Sequence, residues 1–251
     1  MSHRKSQKQS VTRRLTLTAV FAALAFAAIF VFRFNVTFLT FDLKDSIITI
    51  AGLLLGPVVS ATVSLLVAVL EFITVGDTGW YGFIMNFASS ATFSVVCAVV
   101  YRYNKKLTGA IVALASGVVA LVAVMLTLNL VVTPFYMGVP RSTVVEMLPT
   151  LLLPFNLIKG LVNATLVLIL YKPVHKAMQA ARLMSKTTAP EETDPTRRRR
   201  NRLRSLYVTL GGLALLGVIV VLFLTLLHGD FSWVGQFTWF ENLADLVGVS
   251  S

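Results

Sequence analysis

The residue in this chain that most demands a chemical partner is a lysine in the middle of a hydrophobic run. Lys159 lies within Thr150–Tyr171, a stretch long and apolar enough to cross a bilayer, and too far from either end to snorkel easily. Placing an ammonium group there costs about 2.5–3.5 kcal/mol on insertion scales, so it must face a polar cavity or a partner. Asn156 stands three residues before it and Asn163 four after, which puts all three on one helical face. An intramembrane cation beside a carboxamide is costly scaffolding but sensible recognition chemistry. Asn129, in TLNLVVTP, and Asn86, close to Ser89 and Ser90, are further polar groups in apolar segments. Taken alone, Asn86 and Asn163 have a simpler reading as hydrogen-bonding glue between helices, at about 0.6–2 kcal/mol each. Pro154 either opens the helix and frees carbonyls for the same cavity or merely kinks it.

The acidic residues near these segments are Asp42, Asp45, Glu71 and Asp77. Any of them could neutralise Lys159 or Lys44, and their placement predicts a cavity that opens outward. Catalytic patterns are missing. There is no HExxH, nucleophile elbow or Walker A loop, and His3, His175 and His228 lack metal-ligand spacing. Cys97 is the only cysteine and sits in an apolar stretch, which reads as a buried bystander. An intramembrane enzyme would need paired titratable groups within spans, and only Lys159 is deep. The chain reads as a binder and not as an enzyme, with no metal and no resident cofactor.

The elements that must position these residues are transmembrane helices. Of 251 residues 56% are hydrophobic and only 13% charged, with a mean hydropathy of +0.80; soluble domains carry about a quarter charged residues. Clear spans are Leu15–Phe32, Trp80–Tyr101, Thr108–Val132, Thr150–Tyr171 and Leu206–Leu227. The basic start MSHRKSQKQSVTRR lacks a following cleavage pattern, which makes the first span a retained one. Ser46–Val75 is interrupted by Gly56-Pro57 and is either one kinked helix or two short ones joined by a turn.

Charge chooses between them. The net charge of +11 is gathered in short segments beside apolar runs, which argues for cytoplasmic loops and against nucleic acid. A single crossing would place Arg102, Lys105, Lys106 and the ten Lys and Arg residues from Lys172 to Arg204 outside. Two crossings return both clusters to the cytoplasm and leave only Arg33, Lys44 and Arg141 in outer loops. The expected organisation is therefore all-α: a basic cytoplasmic N-terminus (1–14) and a six-helix membrane domain (15–175) with a second helix of roughly 12–14 residues, about 20 Å long. A basic cytoplasmic linker (176–205), a seventh transmembrane helix (206–227) and an extracellular aromatic tail (228–251) follow. The four arginines of the linker fit topology setting or contact with anionic lipid. The tail, FSWVGQFTWFENLADLVG, either lies at the outer interface or is loose.

In the first span Ala19, Ala23 and Ala27 recur every four residues, a spacing that lets another helix approach closely, within the protein or from a separate subunit. This alanine face, FDLKDSIITIAGLLLGP, TLNLVVTPFYMG and above all LLPFNLIKGLVNATLVLILYKP resemble the substrate-binding S components of energy-coupling-factor (ECF) vitamin transporters, of the riboflavin (RibU) type. The resemblance covers roughly residues 12–175 and leaves the linker, seventh span and tail outside it. It implies a multi-pass cell-membrane protein that binds riboflavin as transported substrate from the extracellular side. It also implies partners: a membrane T subunit and two ATP-binding subunits, with ATP used by those subunits. Ala19, Ala23 and Ala27 match the motif that contacts the T subunit. Asn129, Asn156 and Lys159 match positions that hydrogen-bond the flavin, and Phe41 and Asp42 match an outer loop that covers it; Asn86 joins them as a substrate-binding candidate. Riboflavin's pyrimidine edge alternates carbonyl acceptors with an N–H donor, which a carboxamide can match on both counts and a lysine as donor only. The alternatives are an S component for an anionic vitamin such as pantothenate or biotin, and a self-sufficient membrane carrier.

Overall fold

A computed structural model describes residues 2–36, 38–76 and 78–181, with 210, 211, 214 and 217. The expected seventh span, the tail and most of the linker lie outside the described residues, as does Asp77. Helix α1 (Ser2–Val31) leads into a β-hairpin, β1 (Arg33–Val36) and β2 (Leu39–Asp42), paired antiparallel with Arg33 opposite Asp42. Helices α2 (Lys44–Leu55), α3 (Pro57–Thr74), α4 (Gly79–Tyr103) and α5 (Leu107–Met137) follow. A short α6 (Arg141–Met147) runs through one π-helical turn, Leu148–Leu152, into α7 (Leu153–Ala180). The chain is thus helical with one addition: the outer loop expected between Arg33 and Lys44 is a hairpin. Helix α7 also continues to Ala180, past the expected boundary at 175, so the start of the segment read as linker is helical.

Gly-Pro splits the long apolar run as expected. Gly56 adopts φ 109°, open to glycine and strained for other residues, and Pro57 begins α3 where its missing N–H costs nothing. Lys44, at the start of α2, meets Glu71 near the end of α3, so the two helices run antiparallel. The 12 residues of α2 reach about 18 Å, and the helix is enclosed by α1, α3, α4 and α7. Gly52 makes this packing possible. A Cβ there would lie 2.8 Å from Ser60 Cβ and 3.1 Å from Ala98 Cβ.

Among the described residues five stretches are long and apolar enough to cross a membrane: Val11–Val31, Pro57–Thr74, Gly79–Tyr103, Leu107–Met137 and Arg141–Ala180. Their outward positions carry large apolar side chains such as Leu24, Phe30, Val58, Ile73 and Val119, the pattern for a lipid-facing surface. Two cores hold the bundle. The larger joins α1–α5 and α7 through residues such as Phe21, Ile48, Val63, Phe93 and Leu121. The smaller joins the hairpin, α6 and α7 through Phe41, Val144, Leu152 and Phe155.

Both ends of the bundle can be read from contacts. Arg14 donates to the Leu55 carbonyl at 2.9 Å, and one cavity is lined by Leu53, Lys105, Lys106 and Lys172 together. The basic start of α1, the α2–α3 turn, the α4–α5 turn and the later part of α7 therefore share one end. At the other, Arg33 donates to the Val75 carbonyl and the hairpin sits over the start of α2. The antiparallel pair formed by residues 44–75 thus brings Arg14, Lys105, Lys106 and Lys172 to one end, in keeping with the charge pattern.

Candidate functional site

The sequence places charged groups where apolar ones are expected, and the fold brings them together beneath the hairpin. Asp42 ends β2 with no exposed surface. Its Oδ2 accepts from Lys44 Nζ at 2.8 Å and from Lys159 Nζ at 3.2 Å, and its Oδ1 accepts from the Lys44 backbone N–H. Lys44 is also wholly buried and reaches Glu71 at 3.1 Å. Arg33 lies 3.9 Å from the other Glu71 oxygen, and Asp45 lies 3.9 Å from Lys159. Among the described residues three carboxylates thus face three cations, and the cluster is close to neutral. Burial alone would push the Asp42 carboxyl up, but Lys159 and Lys44 beside it hold it well below the usual carboxylate range.

Lys159 also donates to the Thr40 carbonyl at 3.2 Å, so one α7 side chain grips both the backbone and the carboxylate of β2. Asn163, one turn further along the same face, donates to the Asp42 carbonyl. Its Oδ1 accepts from the Ser46 backbone N–H at 2.9 Å, satisfying a donor in the first turn of α2. Ser90 donates to Asp45 Oδ1. These bonds fix the hairpin to α2 and α7.

Beside this cluster lies a cavity between the hairpin, α4, α5 and α7. It is partly open to the outside, and the space between its walls, open solvent included, is ≈ 630 Å³. Thr40, Tyr81, Met85, Tyr136 and Phe155 are among the groups lining it, and so are four of the polar residues expected from sequence: Asn86, Asn129, Asn156 and Lys159. A mostly apolar wall with a few placed polar groups is the usual build of a small-molecule site.

The polar groups are unequally committed. Asn129 Nδ2 donates to the Met125 carbonyl at 2.7 Å and its Oδ1 accepts from Thr133 at 2.8 Å. Asn156 Nδ2 donates to the Leu152 carbonyl at 2.8 Å, at the end of the π-helical turn. Among the described residues no donor reaches Asn156 Oδ1, the Asn86 carboxamide makes no hydrogen bond, and the buried Ser89 Oγ on the cavity wall has no partner. Pro154 falls in the first turn of α7, directly after the π-helical turn.

Two expected ligand contacts are not on the wall. The Phe41 ring is 4% exposed and packs edge-on against Phe155 at 6.2 Å and Phe32 at 6.4 Å, within the smaller core. Asp42 stands behind Lys159 as its counter-ion. Phe38, Leu39 and Thr40 supply the hairpin's part of the lining instead. Sequence reasoning passed over these three, along with Tyr81 and Tyr136 facing each other at 6.0 Å. Aromatic and hydroxyl residues at span ends look like ordinary interface anchors until the fold brings them together.

The family model for the ECF transporter substrate-specific component matches residues 13–171. The chain belongs to this family. A curated relative, the riboflavin transporter RibU of Staphylococcus aureus (strain TCH60), is 26% identical over 183 residues, covering 68% of this chain and 95% of the relative. A solved structure of the S component of a bacterial ECF transporter aligns with a TM-score of 0.57 and 25% identity, over 67% of this chain and 98% of that one. This S component carries the mostly apolar cavity described above within the part of the chain that the family model covers.

Proposed function

We propose that this S component captures riboflavin from the extracellular side and hands it to an ATP-driven module of a membrane T subunit and two ATP-binding subunits. The observation that carries the substrate is one apolar-walled cavity with uncommitted polar groups on it, Asn86, Ser89 and the Oδ1 of Asn156, and with the paired Lys159 amine at its edge. A flavin's pyrimidine edge needs donors and acceptors side by side, which carboxamides and a hydroxyl provide. Its aromatic part would meet Phe155, Tyr81 and the two methionines of the lining. The named activity of the S. aureus relative agrees with this reading.

Lys159 takes a different part from the one its isolation in sequence implied. Its charge is met by Asp42 and Asp45, so no anionic ligand is needed to neutralise it. That removes the support for an anionic vitamin such as pantothenate or biotin. Titrating the purified full chain with riboflavin and following flavin fluorescence should give saturable quenching at one site per chain. A protein that quenches nothing while binding pantothenate or biotin would overturn the assignment.

The energising subunits have a landing place on α1. Ala19, Ala23 and Ala27 are all exposed, whereas Leu17, Phe21, Ala22, Ala25 and Ile29 turn into the core. Among the described residues nothing covers the alanine stripe, and a second helix can approach it closely, as the T-subunit reading requires. Ala23→Trp should abolish uptake in cells that carry the shared subunits and leave riboflavin titration unchanged. Full uptake in that variant would make the stripe an ordinary lipid-facing surface. Uptake into liposomes containing this chain alone would favour a self-sufficient carrier. The seventh span and the extracellular tail remain part of the proposed organisation, with the N-terminus cytoplasmic and the C-terminus outside.

A further inference from the structure

A second cavity lies at the opposite, basic end of the bundle, with none of its lining in common with the first. It encloses ≈ 200 Å³ between the end of α2, the α4–α5 turn and the later part of α7. Its inner wall is apolar, built from Leu53, Leu114, Val167 and Leu168, and its rim carries Lys105, Lys106 and Lys172. All three lysines are exposed, and no carboxylate is part of the lining. Tyr101 and Tyr171 also line it, their hydroxyls 3.3 Å apart. Tyr101 also reaches the Lys105 carbonyl at 3.5 Å, so the two hydroxyls form a short polar chain at the cavity wall. The stacked ring of His175, 6.0 Å away, steadies Tyr171.

We infer that this cavity binds an anionic phospholipid of the leaflet on the basic side of the membrane. The gradient of its wall matches a lipid. A phosphodiester would accept from the lysines and from the Tyr171 hydroxyl, and the first part of an acyl chain would lie against the leucines. Basic pockets between transmembrane helices at this level are suited to anionic headgroups, each lysine contributing about a fivefold gain in affinity near an anionic surface. The position also favours a lipid over a soluble anion. The cavity sits between spans, where lipid is the local solvent and its effective concentration is high. The lining includes no residue of α1, so an occupied cavity leaves the exposed alanine stripe free. This inference needs only the membrane fold and is independent of the identity of the transported solute.

The test is native mass spectrometry of the full chain in detergent, with phosphatidylglycerol or phosphatidylcholine added at equal concentration. Phosphatidylglycerol should give one retained adduct and phosphatidylcholine none. Lys105→Gln with Lys106→Gln should weaken that adduct roughly 30-fold. Tyr171→Phe, which keeps the ring and the charges, should weaken it about 3- to 10-fold, the share of one hydrogen bond. Each variant should bind transported solute as the parent does, which shows that it is folded. Equal retention of the two lipids, or phosphatidylglycerol adducts indifferent to all three substitutions, would overturn the inference. So would inorganic phosphate competing at equal concentration. Glu191, Glu192 and Asp194 follow α7 in the sequence and are acidic competitors that the test must separate from a lipid. If phosphatidylglycerol binds only after all three are neutralised, the cavity belongs to that acidic stretch and the lipid assignment falls.

Discussion

Replacing Asp42 with alanine should destabilise the protein by about 3–5 kcal/mol, the usual cost of removing one partner from a buried ion pair. Two buried ammonium groups depend on this one carboxylate. Without it Lys44 keeps Glu71 at 3.1 Å, but Lys159 is left with Asp45 at 3.9 Å and a single backbone carbonyl. An uncompensated cation in so enclosed a place costs far more than the lost hydrogen bonds gain. The hairpin should suffer first, since Asp42 is its last residue and both lysines hold it to the bundle. Thermal unfolding in detergent should show a much lower midpoint, and limited proteolysis should open the chain between residues 33 and 43. Asp42→Ala combined with Lys159→Met should recover part of the loss, because removing both charges leaves less unpaired than removing one. A single variant that melts with the parent would mean that water or lipid headgroups already screen this cluster, contrary to its burial.

Lys159→Met should weaken riboflavin binding by about 1.5–3 kcal/mol, the range for charge-assisted hydrogen bonds. Methionine keeps the length and most of the volume and removes only the donors. Two routes lead to a loss of affinity: a missing contact to the ligand, and a hairpin released from α7. They separate experimentally. If the amine acts only as a clamp, Asn163→Ala, which removes the neighbouring tie to the Asp42 carbonyl, should cost similar affinity. If the amine touches the ligand, Lys159→Met should cost clearly more than Asn163→Ala, with similar losses in melting temperature. Unchanged affinity in a folded Lys159→Met protein would remove the lysine from the site.

Both predictions turn on a cluster whose members were visible in the sequence but whose pairing was not. Asp42, Lys44, Asp45, Glu71 and Lys159 each stand out as charges beside or within apolar runs. Which carboxylate meets which lysine depends on the antiparallel return of α3 along α2 and on the register of the hairpin, and neither leaves a mark on composition or periodicity. Phe41 is a clear case. Its place one residue before Asp42 marks it as part of the outer loop, yet its ring packs against Phe32 and Phe155 in the smaller core, while Phe38, Leu39 and Thr40 reach the cavity wall. The same holds for Ala19, Ala23 and Ala27, whose spacing shows a small-residue face without saying what lies against it; that they face outward follows from how Phe21, Ala25 and Ile29 pack.

From its residues alone the chain is determined to be a membrane helical bundle, because apolar segments of that length have no other stable backbone arrangement in hydrocarbon. The split at Gly56-Pro57 is determined as well. A positive-φ glycine followed by a proline ends one helix and begins the next, and the grouping of basic residues at one end requires the extra crossing. Tertiary structure alone decided that Lys159 meets a carboxylate before it meets any ligand, and which carboxamides remain uncommitted on the cavity wall. These are properties of contacts between residues more than a hundred positions apart, such as Asp42 with Lys159 and Ser46 with Asn163. Long-range electrostatic and hydrogen-bond partners are chosen by the packing of the helices that carry them, and local sequence patterns do not encode that choice.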